Sequence, residues 1–253
     1  MAKIIAFANQ KGGVGKTTSA INVAAALGLK RKNTLLVDFD PQGNSTSGVG
    51  IRKSQVKNTV YDALVGKASP RDCIIKTEYK NLSVMPSELS LAAAELELAD
   101  TEKREAKLKA ALDAVKGDYD YIIIDCPPSL GLLTVNALTA SDGVVIPMQC
   151  EYFSLEGLSQ IMMSIKQVKK LYNPTLAVTG ILITMYNGRL NLSVQVVDEL
   201  KKYYADKLFK ATISRSVRLS EAPSYGAPIQ YYDKYSPGSL AYDEVARELM
   251  TRI

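Results

Sequence analysis

Six short runs of almost unbroken apolar residues recur along the chain: IIAFA (4–8), TLLVDF (34–39), NLSVMP (81–86), YIIID (121–125), GVVIPM (143–148) and LAVTGILIT (176–184). They are rich in β-branched residues and bounded by Gly, Pro, Asn or Asp, and they lack the polar alternation of a strand with one wet face. Such runs are strands covered on both sides. Between them lie stretches of helical spacing: 16–29, 88–116, 130–139, 155–171, 192–207 and 238–251. In 101–116 the apolar residues Leu108, Ala111, Leu112 and Val115 share one side of a helix. The alternation predicts an α/β fold: a mostly parallel twisted sheet flanked by helices on both faces. Nothing in the 253 residues marks an internal boundary, so one domain over 1–253 is expected. In such sheets ligands bind at the carboxyl ends of the strands.

Composition narrows the chemistry. The chain is 47% hydrophobic and 23% charged, with no repeat at a fixed period. It has no histidine, so the commonest general base and metal ligand are missing, and catalysis falls to carboxylates, lysines, backbone dipoles or a weakly held ion. Cys73, Cys126 and Cys150 are far apart, which argues against a disulfide framework or a structural zinc site and fits a reducing cytoplasm. No signal-peptide pattern precedes KIIAFAN, and no apolar run approaches the roughly 18 residues needed to span a bilayer. A cytoplasmic protein is expected. The net charge of +5 permits an anionic partner without requiring one.

Three stretches at predicted strand ends carry chemistry. NQKGGVGKTT (9–18) follows the first strand and opens a helix, as a phosphate-binding loop must. Counting back from Gly15, however, Gln10 occupies the place of the usual first glycine of G-x-x-x-x-G-K-[ST], and an extra lysine stands at Lys11. Gly12, Gly13 and Gly15 let backbone N–H groups of the loop, with Val14, Lys16, Thr17 and Thr18, approach phosphate oxygens closely. The positive end of the helix adds a favourable field. Lys16 reaches the terminal phosphates and the Thr17 hydroxyl ligates Mg²⁺. LLVDFDPQGN (35–44) ends a buried strand with Asp38 and Asp40 on one side, and Asp40 is the group to position an attacking water beside Mg²⁺. As turn chemistry alone, Asp-Pro-Gln-Gly leaves Asp38 unexplained. YIIIDCPPS (121–129) is four apolar residues and an aspartate, with Asp125 on the Mg²⁺ side. Cys126 reads as a small buried residue rather than a nucleophile. Together the three describe a nucleoside-triphosphate hydrolase that uses Mg²⁺.

The loop with its second lysine is similar to that of the deviant P-loop ATPases. Within them the chain resembles the ParA/Soj chromosome-partitioning ATPases along nearly its whole length. The resemblance is carried by NQKGGVGKTT, LLVDFDPQGN, YDYIIIDCPPSLGLLTVNALTASD (119–142), VIPMQCEYFSLEGL (145–158) and VRLSEAPSYG (217–226). It implies a homodimer in the ATP state that sandwiches two nucleotides, with Lys11 reaching the partner subunit's phosphates and Gly12 at a close dimer contact. A cation placed before the loop does not easily fold back onto its own γ-phosphate, so action in trans, like an arginine finger, is physically sensible. The resemblance further implies that Lys16 and Thr17 act in cis, Asp40 orients the hydrolytic water and Asp125 partners Mg²⁺. It also implies non-specific binding of double-stranded DNA by the dimer, at the nucleoid, and stimulation of slow hydrolysis by a ParB-like protein. Arg189 and Arg218 fall in the stretches where the family's DNA-contacting residues lie; the plainer reading makes them solvated or paired with carboxylates such as Glu221. Control of replication initiation is a further role open to this reading.

The chain departs from the family's pattern at Ser214, where relatives commonly have proline near the adenine. At 232–239 it reads YDKYSPGS, where relatives often carry arginines, which removes the ground for a DNA role of that turn. An alternative is a membrane-cycling division-site regulator like MinD, which needs a basic amphipathic C-terminal segment. The stretch YDEVARELMTRI mixes acids and bases, so no stable membrane association is expected. A nitrogenase-reductase-like carrier would need cluster-bridging cysteines, and the tyrosines near 225–242 read as surface and core filling rather than a kinase tail.

Overall fold

A computed structural model describes residues 2–253. Seven strands, β1 (Lys3–Phe7), β2 (Thr34–Asp38), β3 (Ile75–Lys76), β4 (Leu82–Met85), β5 (Tyr121–Asp125), β6 (Gly143–Gln149) and β7 (Ala177–Thr184), form one sheet in the order β3-β4-β2-β5-β1-β6-β7. All pairs are parallel except β3 with β4, at the edge. The helices are α1 (Lys16–Leu29), α2 (Asn44–Gly48), α3 (Val60–Val65), α4 (Leu91–Glu97), α5 (Lys107–Asp113), α6 (Leu132–Ala140), α7 (Ser154–Leu171), α8 (Asn191–Tyr204), α9 (Val217–Glu221), α10 (Ile229–Tyr232) and α11 (Pro237–Arg252).

The unbroken apolar runs are explained by burial on both faces. Alternate residues of β1 point opposite ways. Ile5 and Phe7 join a core with α1, α9, α10 and α11, while Ile4 and Ala6 join one with α3 to α8. The β1–β5–β2 register sets Phe7, Asp125 and Asp38 side by side at the carboxyl edge. Asn22 of α1 locks the C-terminal region in place. Its Oδ1 accepts from Ile229 N (2.7 Å), its carbonyl from Gln230 Nε2 (2.9 Å). Tyr242, Val245, Ala246 and Leu249 of α11 are buried against that core, so its apolar side is taken up within the chain rather than offered to a lipid surface. Among the described residues no helix is long and apolar enough to cross a membrane.

The expected helix over 88–116 is a correction. It breaks into α4, a 3-10 turn at Arg104–Ala106 and α5, with Lys103 in the left-handed region at φ 53°. Asn136 of α6 drives the break: its Oδ1 accepts from Leu108 N (3.1 Å) and its Nδ2 donates to the Arg104 carbonyl (2.8 Å). A side chain distant in sequence thus caps α5, satisfying a first-turn N–H that has no intrahelical acceptor. The two-residue β3 and the short helices α2, α3, α9 and α10 had no counterpart in the periodicity.

Candidate functional site: a phosphate-binding loop with paired carboxylates

The loop between β1 and α1 takes its shape from two left-handed glycines, Gly13 (φ 72°) and Gly15 (φ 81°). Only glycine adopts this without strain. Asn9 steadies the entry, accepting from Lys11 N (3.0 Å) and donating to the Pro147 carbonyl (2.8 Å). The Thr184 hydroxyl at the end of β7 donates to the Val14 carbonyl (2.8 Å). Lys16 is 6% exposed, and its Nζ crosses the loop to donate to the Lys11 carbonyl (2.9 Å). Burial pushes its pKa down, opposed chiefly by the negative charge of Asp125 and less by that of Asp40. A buried ammonium answered by a neutral carbonyl is poised to take a stronger anionic partner.

Facing the loop are three carboxylates. Asp38 and Asp125 are neighbours in register, and both are fully buried. Desolvation raises Asp38 to about 6 and, with repulsion from Asp38, Asp125 to about 7. Asp38 Oδ2 accepts from Thr46 N and Thr46 Oγ1, both at 2.7 Å, so it anchors the start of α2. Asp125 Oδ2 accepts from Ser45 Oγ (2.7 Å), whereas its Oδ1 is buried without a partner. Asp40 is 7% exposed; its Oδ1 accepts from Gln42 N (2.9 Å), and its Oδ2 has no partner among the described residues.

An orphaned carboxylate oxygen beside the Thr17 hydroxyl, with Asp40 close by, fits a hard divalent cation. Among the described residues no three His, Cys, Asp or Glu cluster to hold a metal by themselves. Such sparse ligation suits Mg²⁺, which keeps waters and shares substrate phosphates. Cys126 is fully buried, and burial beside Asp125 pushes its thiol well above the ordinary range, as expected of a packing residue. Alongside the loop runs a cleft of about 260 Å³, lined among others by Gly15, Thr18, Met185, Ser214, Leu219 and Tyr242.

Lys11 lies apart from this cluster. Its ammonium is on the surface, ion-paired with Glu151 in the β6–α7 connection. Gly12 has ordinary backbone, and a Cβ added there meets nothing within 4 Å. Arg189 is exposed in the turn after β7, with no ion pair among the described residues. Arg218 on α9 is held by Glu221 (3.2 Å) and Asp233 (3.6 Å), the plainer of its two readings. Sequence reasoning missed Ser45, Thr46, Glu151 and Gln149. Only the hydroxyl-rich run NSTS (44–47) gave a local signal for the first two.

A parallel sheet with a glycine loop leading into α1, and aspartates at the adjoining strand ends, defines the chain as a P-loop nucleotide-binding protein. A family model described as an AAA domain matches residues 2–178. The sporulation initiation inhibitor protein Soj of Bacillus subtilis is 57% identical over 249 residues, covering 98% of each chain. A solved structure of a plasmid partition protein from Borrelia burgdorferi bound to AMPPNP is 29% identical, with a TM-score of 0.86 and 100% coverage of both chains. A structure of a cobyrinic acid a,c-diamide synthase from Mycobacterium smegmatis with bound ADP and magnesium is 36% identical, with a TM-score of 0.86, covering 98% of this chain and 93% of that one. The chain belongs to the ParA/Soj family of chromosome-partitioning P-loop ATPases.

Proposed function

We propose that this chain is an ATP-driven dimerising switch for DNA segregation, acting as one domain at the nucleoid. ATP binds with its phosphates in the loop 11–18 and its base in the adjoining cleft. Lys16 neutralises terminal phosphate charge in cis, Thr17 and Asp125 hold Mg²⁺ with Asp40 beside it, and Asp40 orients the water that hydrolyses ATP. The cation, when bound, offsets phosphate charge. The ATP-bound homodimer binds double-stranded DNA without sequence preference, and a ParB-like partner stimulates its slow hydrolysis.

The observation that carries this reading is the pair Lys11 and Gly12. Lys11 is ion-paired with Glu151 and its side chain is 37% exposed, which leaves it open to a second subunit's phosphates. A Cβ at Gly12 would meet nothing within 4 Å in this chain, so the glycine leaves room there for a second copy. The test is sedimentation and DNA binding with ATP, with ADP and without nucleotide. ATP alone should give dimers that bind DNA, and DNA binding indifferent to nucleotide would overturn the switch. Gly12→Val should fold as the parent does, yet remain monomeric with ATP.

A further inference from the structure

The loop residues 10–13 are tied to one neighbouring segment by three side-chain contacts. Gln10 Nε2 donates to Gln160 Oε1 on α7. Lys11 Nζ pairs with Glu151. Gln149 Nε2 donates to the Gly13 carbonyl (2.7 Å). The same β6–α7 connection presents two aromatic side chains to solvent: Tyr152 is 76% and Phe153 67% exposed, packed edge to face at 5.1 Å. One short stretch thus restrains the loop and carries an apolar surface with no partner in this chain.

We propose that Glu151 is a positioning residue that holds Lys11 in cis, and that a second copy of this chain must open the pair to form the ATP-bound dimer. The inference rests on the proposed action of Lys11 in trans. An ammonium that swings across an interface to a partner's phosphate leaves the carboxylate it was paired with, so every Lys11 delivered in trans is taken from Glu151. The displaced carboxylate is then unpaired next to a polyanionic nucleotide, which repels it. Both effects oppose assembly.

The pair yields because it is weak. Its side chains are 37% and 55% exposed, and an exposed ion pair contributes little in water. A triphosphate carries several charges, and a closing interface that excludes water strengthens the new contact relative to the old. Tyr152 and Phe153, next to Glu151 in the chain, are placed to be covered by the arriving copy as the pair opens. Closing over the aromatic pair therefore favours assembly while the ion pair opposes it, and ATP decides between the two.

The test measures ATP-driven dimerisation of the full chain against protein concentration, at low and high salt, for the parent, Glu151→Gln and Glu151→Asp. Losing one exposed pair shifts an equilibrium by up to about fivefold per protomer, hence up to about 25-fold in the dimer dissociation constant. Glu151→Gln should dimerise at correspondingly lower concentration, with unchanged ATP affinity as a monomer. Glu151→Asp, which keeps the charge, should stay near the parent. The gain should shrink in high salt, because screening already weakens the pair in the parent. If the parent dimerises with ATP and Glu151→Gln gains nothing, or its gain ignores salt, the latch is overturned and the dimer stands. If the parent does not dimerise with ATP, the dimer reading falls and takes the latch with it.

Discussion

Asp38 and Asp125 are neighbours across the β2–β5 register with no exposure to solvent, and the pH response of the nucleotide-free protein follows from that burial. Both carboxyls are raised above their ordinary value, to about 6 and about 7, chiefly by desolvation. A raised pKa means that the folded state prefers the proton. The associated stability is fully present below the unfolded-state value near 4 and is lost as pH rises through the folded values. The melting temperature of the metal-free protein should therefore fall between about pH 5 and pH 8. Asp125→Asn should flatten part of that fall and weaken Mg²⁺-dependent ATP binding; thermal melts against pH, with and without Mg²⁺ and ATP, report both. A variant as pH-sensitive as the parent would count against Asp125 as the source. Asp125 was legible from its place after YIII, and Asp40 from its turn. Asp38 was legible as a carboxylate but not as the anchor of α2, because the Thr46 contacts form only when the chain folds back.

At the scale of elements, what could be read locally was read. Strands buried on both faces must be apolar throughout, so all six predicted runs match their strands within one residue at either end. The split of 88–116 could not be read, since no Gly or Pro lies between Leu98 and Ala106 and the capping side chain comes from Asn136. Gly28, near the end of α1, shows the same dependence on distant contacts. Helix propensity alone makes Gly28→Ala stabilising by about 1 kcal/mol. In the structure a Cβ there would lie 2.3 Å from the Lys80 carbonyl oxygen, a backbone atom that cannot swing aside, and the Gly28 carbonyl already accepts from Asn81 Nδ2 (3.0 Å). Overpacking costs about 1–3 kcal/mol, and a backbone clash belongs at the upper end, so packing wins. Gly28→Ala should lose about 2 kcal/mol net, read from the urea midpoint at unchanged slope. A stabilised variant would show that the β3–β4 turn moves freely away from α1.

For the whole molecule, function depends on surfaces that a sequence places only coarsely. Arg189 and Arg218 looked equivalent in the sequence, each a lone arginine in a family-like stretch. The fold separates them. Arg218 shares its guanidinium between Glu221 and Asp233, so a phosphate must compete with two carboxylates already in place. Arg189 has no such competitor among the described residues and stands exposed in the turn after β7. With a net charge of only +5, the chain has little long-range attraction to offer, so the proposed DNA binding rests on local cations free to meet phosphates, Arg189 among them. Each phosphate neutralised on duplex DNA contributes about 0.9 to the slope of log K against log salt. Arg189→Ala, removing one contact per protomer and two per dimer, should lower that slope by about 1.8 and weaken binding uniformly across DNA sequences. Arg218→Ala should move it less, because freeing Glu221 and Asp233 changes local charge without removing an available cation. The measurement is a salt titration of DNA binding by the ATP-loaded protein and both variants. Equal losses of slope would mean that DNA pulls Arg218 out of its ion pairs; no loss for Arg189→Ala would move the DNA-binding face elsewhere on the dimer.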